Sequence, residues 1–155
     1  MQVYNVDINN PLIEKLKSID GNNVHKPLEN DMDTFTQLIE ETVGYKVNIT
    51  NNWFNRTAFT GVSNGFDWHN EKGIGGNHTV MPGTHAGVLW IDGSVNQGGE
   101  LQVLAEDDVK TIKFAPGKLI VFESDTMHKV LHYTGTSPRT SINVTMFCGD
   151  DNAST

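Results

Sequence analysis

Cysteine is nearly absent from this chain, which has 155 residues and a single cysteine, Cys148. One cysteine cannot form an intrachain disulfide, so nothing in the sequence indicates an oxidising compartment. Long apolar runs are missing too, since no stretch approaches the roughly 18 apolar residues of a membrane-spanning helix. Residues Met1 to Asn5 do not resemble a signal peptide. We therefore expect a cytoplasmic protein that does not engage a membrane.

Positive charge is also scarce. The chain has 11 Lys and Arg against 19 Asp and Glu, for a formal net charge of −8 at pH 7. Nucleic-acid binding depends largely on neutralising phosphates with basic side chains, and no basic patch is visible in the sequence. Nucleic acid is therefore not favoured as a partner.

The length suits one well-buried core, so residues 1–155 are predicted to form a single domain. We expect residues 1–44 to be helical. Asn10 can cap a first helix that begins with Pro11, and a second helix should start near Asn30 or Asp31 and stop at Gly44. Apolar residues recur at helical spacing in both segments.

The hydrophobic period changes to two from Tyr45 onward. About seven or eight short strands, separated by turn signals rich in glycine and proline, are typical of a sandwich, barrel or jelly roll. The last strand has two distinct faces, one polar (Arg139, Ser141, Asn143, Thr145) and one mostly apolar (Thr140, Ile142, Val144, Met146). The polar face predicts a polar cavity. The pattern gives a mainly β fold with N-terminal helices, a β core over 45–148 and a loose tail over 149–155.

Two histidines and a carboxylate stand out within this β region. His69 and Glu71 are two residues apart, so both side chains would project from the same face of an extended strand. Together with His128 they make up the two-histidine, one-carboxylate set that holds non-haem Fe(II) and leaves coordination positions open. Arg139 follows, with the planar guanidinium suited to clamping a carboxylate.

Four segments of the chain resemble, in order, motifs of the iron(II)- and 2-oxoglutarate-dependent oxygenases, most closely those of the prolyl-4-hydroxylase-like branch. They are Phe59 to Glu71, then Val88 to Asp92 with the Gly98-Gly99-Glu100-Leu101 turn, then Pro116 to Ser124 leading to His128, and finally Arg139 to Ile142. The resemblance covers most of the β region. The family usually has Asp where this chain has Glu71.

The resemblance implies a double-stranded β-helix (jelly-roll) core with iron held by His69, Glu71 and His128. It also implies that Arg139, assisted by the Ser141 hydroxyl, binds 2-oxoglutarate. The implied activity is that of a non-haem Fe(II)- and 2-oxoglutarate-dependent dioxygenase, which uses O2 and hydroxylates a C–H bond, releasing succinate and CO2. The expected substrate is a peptidyl residue or a small molecule.

Roles are also predicted for residues outside this set. Arg56 and Asn64 are candidate substrate contacts, while the aromatic residues, including Trp68 and Trp90, are expected to be core or rim residues.

Two other functions remain open from sequence. A cupin-like jelly roll, acting as an isomerase or a sensor, would bind metal without 2-oxoglutarate and would have no need of Arg139. In a non-enzymatic β-sandwich used in assembly or carbohydrate binding, His69, Glu71, His128 and Arg139 would not converge in space.

Overall fold

The computed structural model describes residues 1–21, 24–57, 68–73 and 82–149. These residues form two helices and nine strands. The helices are α1 (Pro11–Lys17) and α2 (Met32–Val43). The strands are β1 (Gln2–Asn5), β2 (Val24–His25), β3 (Val47–Thr57), β4 (His85–Asp92), β5 (Leu101–Ala105), β6 (Asp108–Ile112), β7 (Lys118–Glu123), β8 (His128–Val130) and β9 (Arg139–Cys148).

The start of α1 and the end of α2 are those that the local sequence predicts. The Asn10 side chain accepts a hydrogen bond from Leu12 N at 2.9 Å, which satisfies one of the free amides at the start of α1. Gly44 ends α2 in the left-handed conformation, with φ of +86°. No helix in the described ranges is long and apolar enough to span a bilayer.

The strands form two antiparallel sheets. The larger has the order β1-β7-β4-β9-β3-β2, and the smaller has the order β6-β5-β8. One apolar cluster lies between the outer face of the larger sheet and the helices, and includes Leu16, Phe35, Leu89 and Ile142. A second lies between the two sheets and includes Trp90, Val103, Phe114 and Phe122. This arrangement confirms the mainly β, jelly-roll prediction.

The N-terminal 44 residues are not wholly helical. The edge strand β1 pairs with β7, and the two-residue β2 pairs with β3. Strands this short carry too few residues to show a period of two, so sequence spacing does not reveal them. At the other end, β9 continues through Cys148, whose buried thiol has a raised pKa because of its burial. Most of the predicted tail, residues 150–155, lies outside the described residues.

Strand β9 positions the site, because it lies between β4 and β3 in the larger sheet. Its residues alternate as predicted: Ile142 and Val144 belong to the helix-side cluster, whereas Arg139 and Ser141 are buried on the face toward the smaller sheet. The start of this polar face is therefore buried between the sheets and is not open to solvent.

Candidate metal centre

The structure brings His69, Glu71 and His128 together. One ligand atom from each lies within 4.8 Å of the others, and Glu71 and His128 are both buried. The Nε2 atom of His128 is 3.4 Å from a Glu71 carboxylate oxygen, and the two imidazole rings have centroids 4.3 Å apart. This donor set fits Fe(II) or a similar divalent transition metal.

Backbone pairing holds the first ligand segment against the second. His69 N donates to His128 O at 3.1 Å, and His128 N donates back to His69 O at 2.9 Å. This bridge adds His69 to the edge of the smaller sheet beside β8. Glu71 lies in the turn that follows, not in a strand, and its amide donates to Ser124 O at 2.9 Å. The turn, rather than strand alternation, therefore aims the carboxylate.

Asn70, which the sequence did not single out, fixes that turn. Its Nδ2 donates to Asp125 O at 3.1 Å, and its Oδ1 accepts from Lys72 N at 3.0 Å. The side chain is buried, so the loop before β8 and the segment from His69 to Lys72 are connected through an amide that is shielded from water. Its position directly beside a predicted metal ligand is the sequence feature that could have identified it.

The ring orientation of His128 suits a ligand. Its Nδ1 lies 3.0 Å from Thr126 O, and a carbonyl can only accept, so Nδ1 carries the proton. Nε2, which is 3.4 Å from a Glu71 oxygen, is then the ring atom that faces the other donors. Metal-bound histidines commonly use such an outer hydrogen bond to fix their tautomer.

Arg139 reaches the same interior from the opposite sheet. Its guanidinium is 5.5 Å from the ring of Trp90 and 5.4 Å from the ring of Phe114. Trp90 and Phe114 belong to the inter-sheet cluster that also holds Phe122, whose ring lies 4.7 Å from that of His128. The arginine and the histidine–carboxylate cluster therefore border one interior.

Only part of the Arg139 charge is compensated. Nε donates to Gly99 O at 3.0 Å, while Nη2 is buried without a hydrogen-bond partner in the described ranges. Burial lowers the pKa of the guanidinium to about 10. A buried, partly unpaired guanidinium fits a ligand that carries a carboxylate. Ser141 is buried two residues further along the same face.

The other two predicted contacts lie apart from this group. Arg56 donates to Lys17 O at 2.9 Å and to Ile19 O at 2.5 Å, at the end of α1. The structure does not bring it to the cluster, and its contact with a substrate stays a prediction. Asn64 lies outside the described residues.

Gly99 leaves space for the Arg139 side chain. From the sequence this glycine was interpreted only as part of a turn. A Cβ at Gly99 would lie 2.9 Å from Arg139 Cδ and 3.0 Å from Tyr133 Cδ1, and its φ is +76°. We expect Gly99→Ala to lower the free energy of unfolding by roughly 2–4 kcal/mol, from backbone strain together with the clash. Urea unfolding measures this loss.

Gly44→Ala is the matched control for that experiment. Gly44 has a similar φ of +86°, but a Cβ there meets nothing within 4 Å. It should lose only about 1 kcal/mol, from strain alone. If both variants lost the same free energy of unfolding, the Arg139 side chain would not depend on the space at Gly99.

Three solved structures show what this architecture resembles. A 2OG-Fe(II) oxygenase family oxidoreductase from Burkholderia pseudomallei is 17% identical with a TM-score of 0.58, over 76% of this chain and 55% of that one. A prolyl hydroxylase from Trichoplax adhaerens, solved with a hypoxia inducible factor peptide fragment, is 16% identical with a TM-score of 0.54, over 98% and 64%. The alpha ketoglutarate dependent epimerase SnoN from nogalamycin biosynthesis is 12% identical with a TM-score of 0.61, over 92% and 76%.

No model of a protein family matches the sequence, and no curated protein is significantly similar to it. The chain spans less than two thirds of the length of the Burkholderia and Trichoplax proteins. At these identities the likeness is one of fold, and the neighbours include both hydroxylases and an epimerase. In fold, this chain is similar to solved iron(II)- and 2-oxoglutarate-dependent oxygenases.

Proposed function

We propose that the chain is a non-haem Fe(II)- and 2-oxoglutarate-dependent dioxygenase. The observation that carries the proposal is that two groups border the same inter-sheet cluster. His69, Glu71 and His128 present donors within 4.8 Å of one another, and Arg139 Nη2 is buried without a hydrogen-bond partner among the described residues. A cupin-like metal site has no need of the arginine, and a non-enzymatic sandwich has no need of the cluster.

The metal and the co-substrate would be held by different residues. His69, Glu71 and His128 would hold the metal through two neutral imidazoles and a carboxylate, which leaves positions open for other ligands. Arg139 would bind the far carboxylate of 2-oxoglutarate, with the Ser141 hydroxyl assisting. The Thr126 carbonyl holds the Nδ1–H of His128, so Nε2 is the ring atom that would bind the metal.

When bound, the metal and co-substrate supply the oxidising power that the protein side chains lack. In that chemistry one oxygen atom of O2 would enter the substrate C–H bond as a hydroxyl, and the other would enter succinate as 2-oxoglutarate lost CO2. The protein orients the reactants and excludes water, and the apolar rings of Trp90, Phe114 and Phe122 between the sheets serve that exclusion.

The finer proposal is that the hydroxylated group belongs to a peptidyl residue. It is supported by the prolyl hydroxylases among the similar structures, one of them solved with a peptide. A gain of one oxygen atom in a proline-containing peptide, detected by mass spectrometry and dependent on 2-oxoglutarate, would be the expected result. Oxidation of a small molecule instead would overturn the peptide assignment but keep the reaction class.

Anaerobic titration with Fe(II) and then 2-oxoglutarate tests the proposal itself. We expect a visible metal-to-ligand charge-transfer band to appear only when both are present, because the band requires the 2-oxo acid to chelate the metal. Circular dichroism on the same sample establishes that the protein is folded. Folded protein that gives no band would contradict the proposed function.

A further inference from the structure

Three buried polar atoms in the described ranges lack a hydrogen-bond partner, and they lie on three neighbouring strands. They are Asn55 Oδ1 on β3, Trp90 Nε1 on β4 and Arg139 Nη2 on β9. Ser141 pairs with Asn55 on one side and with Trp90 on the other, and Arg139 is two residues away on the same face of β9. Because buried polar groups nearly always have partners, three in one patch indicate a polar ligand.

Donors dominate this patch. An indole N–H and a guanidinium can only donate hydrogen bonds. The Ser141 hydroxyl accepts from Asn143 Nδ2 at 3.1 Å, which leaves its own proton for another acceptor. Asn55 presents an oxygen, but half a turn of its amide brings the NH2 group to the same place. A group that only accepts, such as a carboxylate, satisfies this set.

Trp90 is fully buried, and its ring lies 5.5 Å from the Arg139 guanidinium and 5.0 Å from the Phe114 ring. We propose that Trp90 donates its indole N–H, beside Arg139, to the far carboxylate of the 2-oxo acid co-substrate and so makes the site selective for a dicarboxylate. This inference rests on the proposed function. Sequence reasoning treated Trp90 as a core aromatic residue, a role that requires the ring but not the N–H.

Trp90→Phe separates the ring from its N–H. Dissociation constants for 2-oxoglutarate and for 2-oxopentanoate, which has the same chain length without the far carboxylate, would be measured anaerobically with Fe(II) bound. We expect the variant to bind 2-oxoglutarate roughly 10- to 100-fold more weakly, because it loses a hydrogen bond to a charged group. Affinity for 2-oxopentanoate should change by less than about threefold, so the preference for the dicarboxylate falls by at least about threefold.

Phe114→Leu is the matched control. Phe114 also packs on the guanidinium, at 5.4 Å, but offers no polar atom. A structural defect around Arg139 would lower the preference in both variants, whereas loss of the N–H lowers it only in Trp90→Phe. An unchanged preference in Trp90→Phe, or equal losses in the two variants, would overturn the role of Trp90.

The wild-type chain gives a second test that does not depend on a variant at Trp90. The sequence has three tryptophans, so an amide NMR spectrum of the Zn(II)-loaded protein shows three indole N–H signals, assigned by Trp53→Phe and Trp68→Phe. We expect the Trp90 signal to move downfield with 2-oxoglutarate but not with 2-oxopentanoate. The same shift with both acids would overturn the inference. Failure of metal-loaded wild-type protein to bind 2-oxoglutarate would instead overturn the proposed function.

Discussion

His128→Ala is expected to lower metal affinity by roughly 100-fold or more, since loss of even an outer hydrogen-bond partner of a ligand costs about 10- to 100-fold. The variant retains Glu71 and His69, but two donors do not close the face of an octahedral metal. The backbone bonds between residues 69 and 128 do not involve the side chain, so the sheet edge should remain intact. Isothermal titration with Co(II), whose visible spectrum reports its ligands, measures the change.

His85→Ala is the matched control for that measurement. His85 is the first residue of β4, and its Nδ1 lies 2.9 Å from the Thr84 hydroxyl. Its neighbour Ala86 belongs to the inter-sheet cluster, so strand alternation turns His85 away from the metal ligands. Metal affinity should be unchanged in His85→Ala. If His128→Ala also bound metal with the wild-type affinity, His128 would be a hydrogen-bonded core histidine rather than a ligand.

Arg139→Met is expected to raise stability while removing 2-oxoglutarate binding. Burial lowers the pKa of the arginine to about 10, which corresponds to roughly 3 kcal/mol of unfavourable charge burial in the ligand-free protein. Methionine removes that cost and fills similar space, while Gly99 O loses its hydrogen bond from Nε, at about 1 kcal/mol. The contacts of the guanidinium with the Trp90 and Phe114 rings, worth roughly 0.5–1 kcal/mol each, are lost as well. We therefore expect the ligand-free variant to gain about 1 kcal/mol in its free energy of unfolding.

The same substitution should remove 2-oxoglutarate binding. Pairing with a carboxylate offsets the charge burial in the wild-type protein, so saturating 2-oxoglutarate should raise its melting temperature. The variant has no charge to pair, and its melting temperature should not respond. Differential scanning fluorimetry with and without 2-oxoglutarate measures both. A variant that was destabilised yet still responded to 2-oxoglutarate would contradict the role given to Arg139.

The pH dependence of stability follows from the same pKa. Between about pH 10 and the higher pKa of an exposed arginine, the unfolded chain holds a proton on Arg139 that the folded chain releases. Because the unfolded state binds more protons there, this residue makes stability rise with pH across that window. Below pH 10 the cost of the buried charge is present in full, so the gain in Arg139→Met should be constant from neutral pH to about pH 9.

Arg56→Met, at the only other arginine of the chain, should have the opposite effect on stability. The guanidinium of Arg56 satisfies two carbonyls at the end of α1 and lies 4.8 Å above the Phe54 ring. Its removal leaves those carbonyls without that donor, which should lower the free energy of unfolding by about 1–2 kcal/mol. Urea unfolding of the two arginine variants compares a guanidinium that stabilises the fold, that of Arg56, with one whose burial destabilises the ligand-free protein, that of Arg139.

Local features were those that the sequence predicted well. The Asn10 cap, the stop at Gly44 and the two faces of β9 each depend on residues within a few positions of one another. The edge strand β1 was not predicted, since its four residues are stabilised by pairing with β7, more than a hundred positions later. Glu71 was expected on a strand, but it lies in a turn that Asn70 and Ser124 hold.

By itself the sequence determined the chemical set: two imidazoles, a carboxylate and an arginine, on a chain that changes from helical to alternating periodicity. Which atoms meet was decided only by the tertiary structure. The strand order places β9 between β4 and β3, and this brings Trp90 and Asn55 into register with Ser141. Cross-strand neighbours are fixed by packing and hydrogen bonding between distant segments, which the spacing within any one segment does not encode.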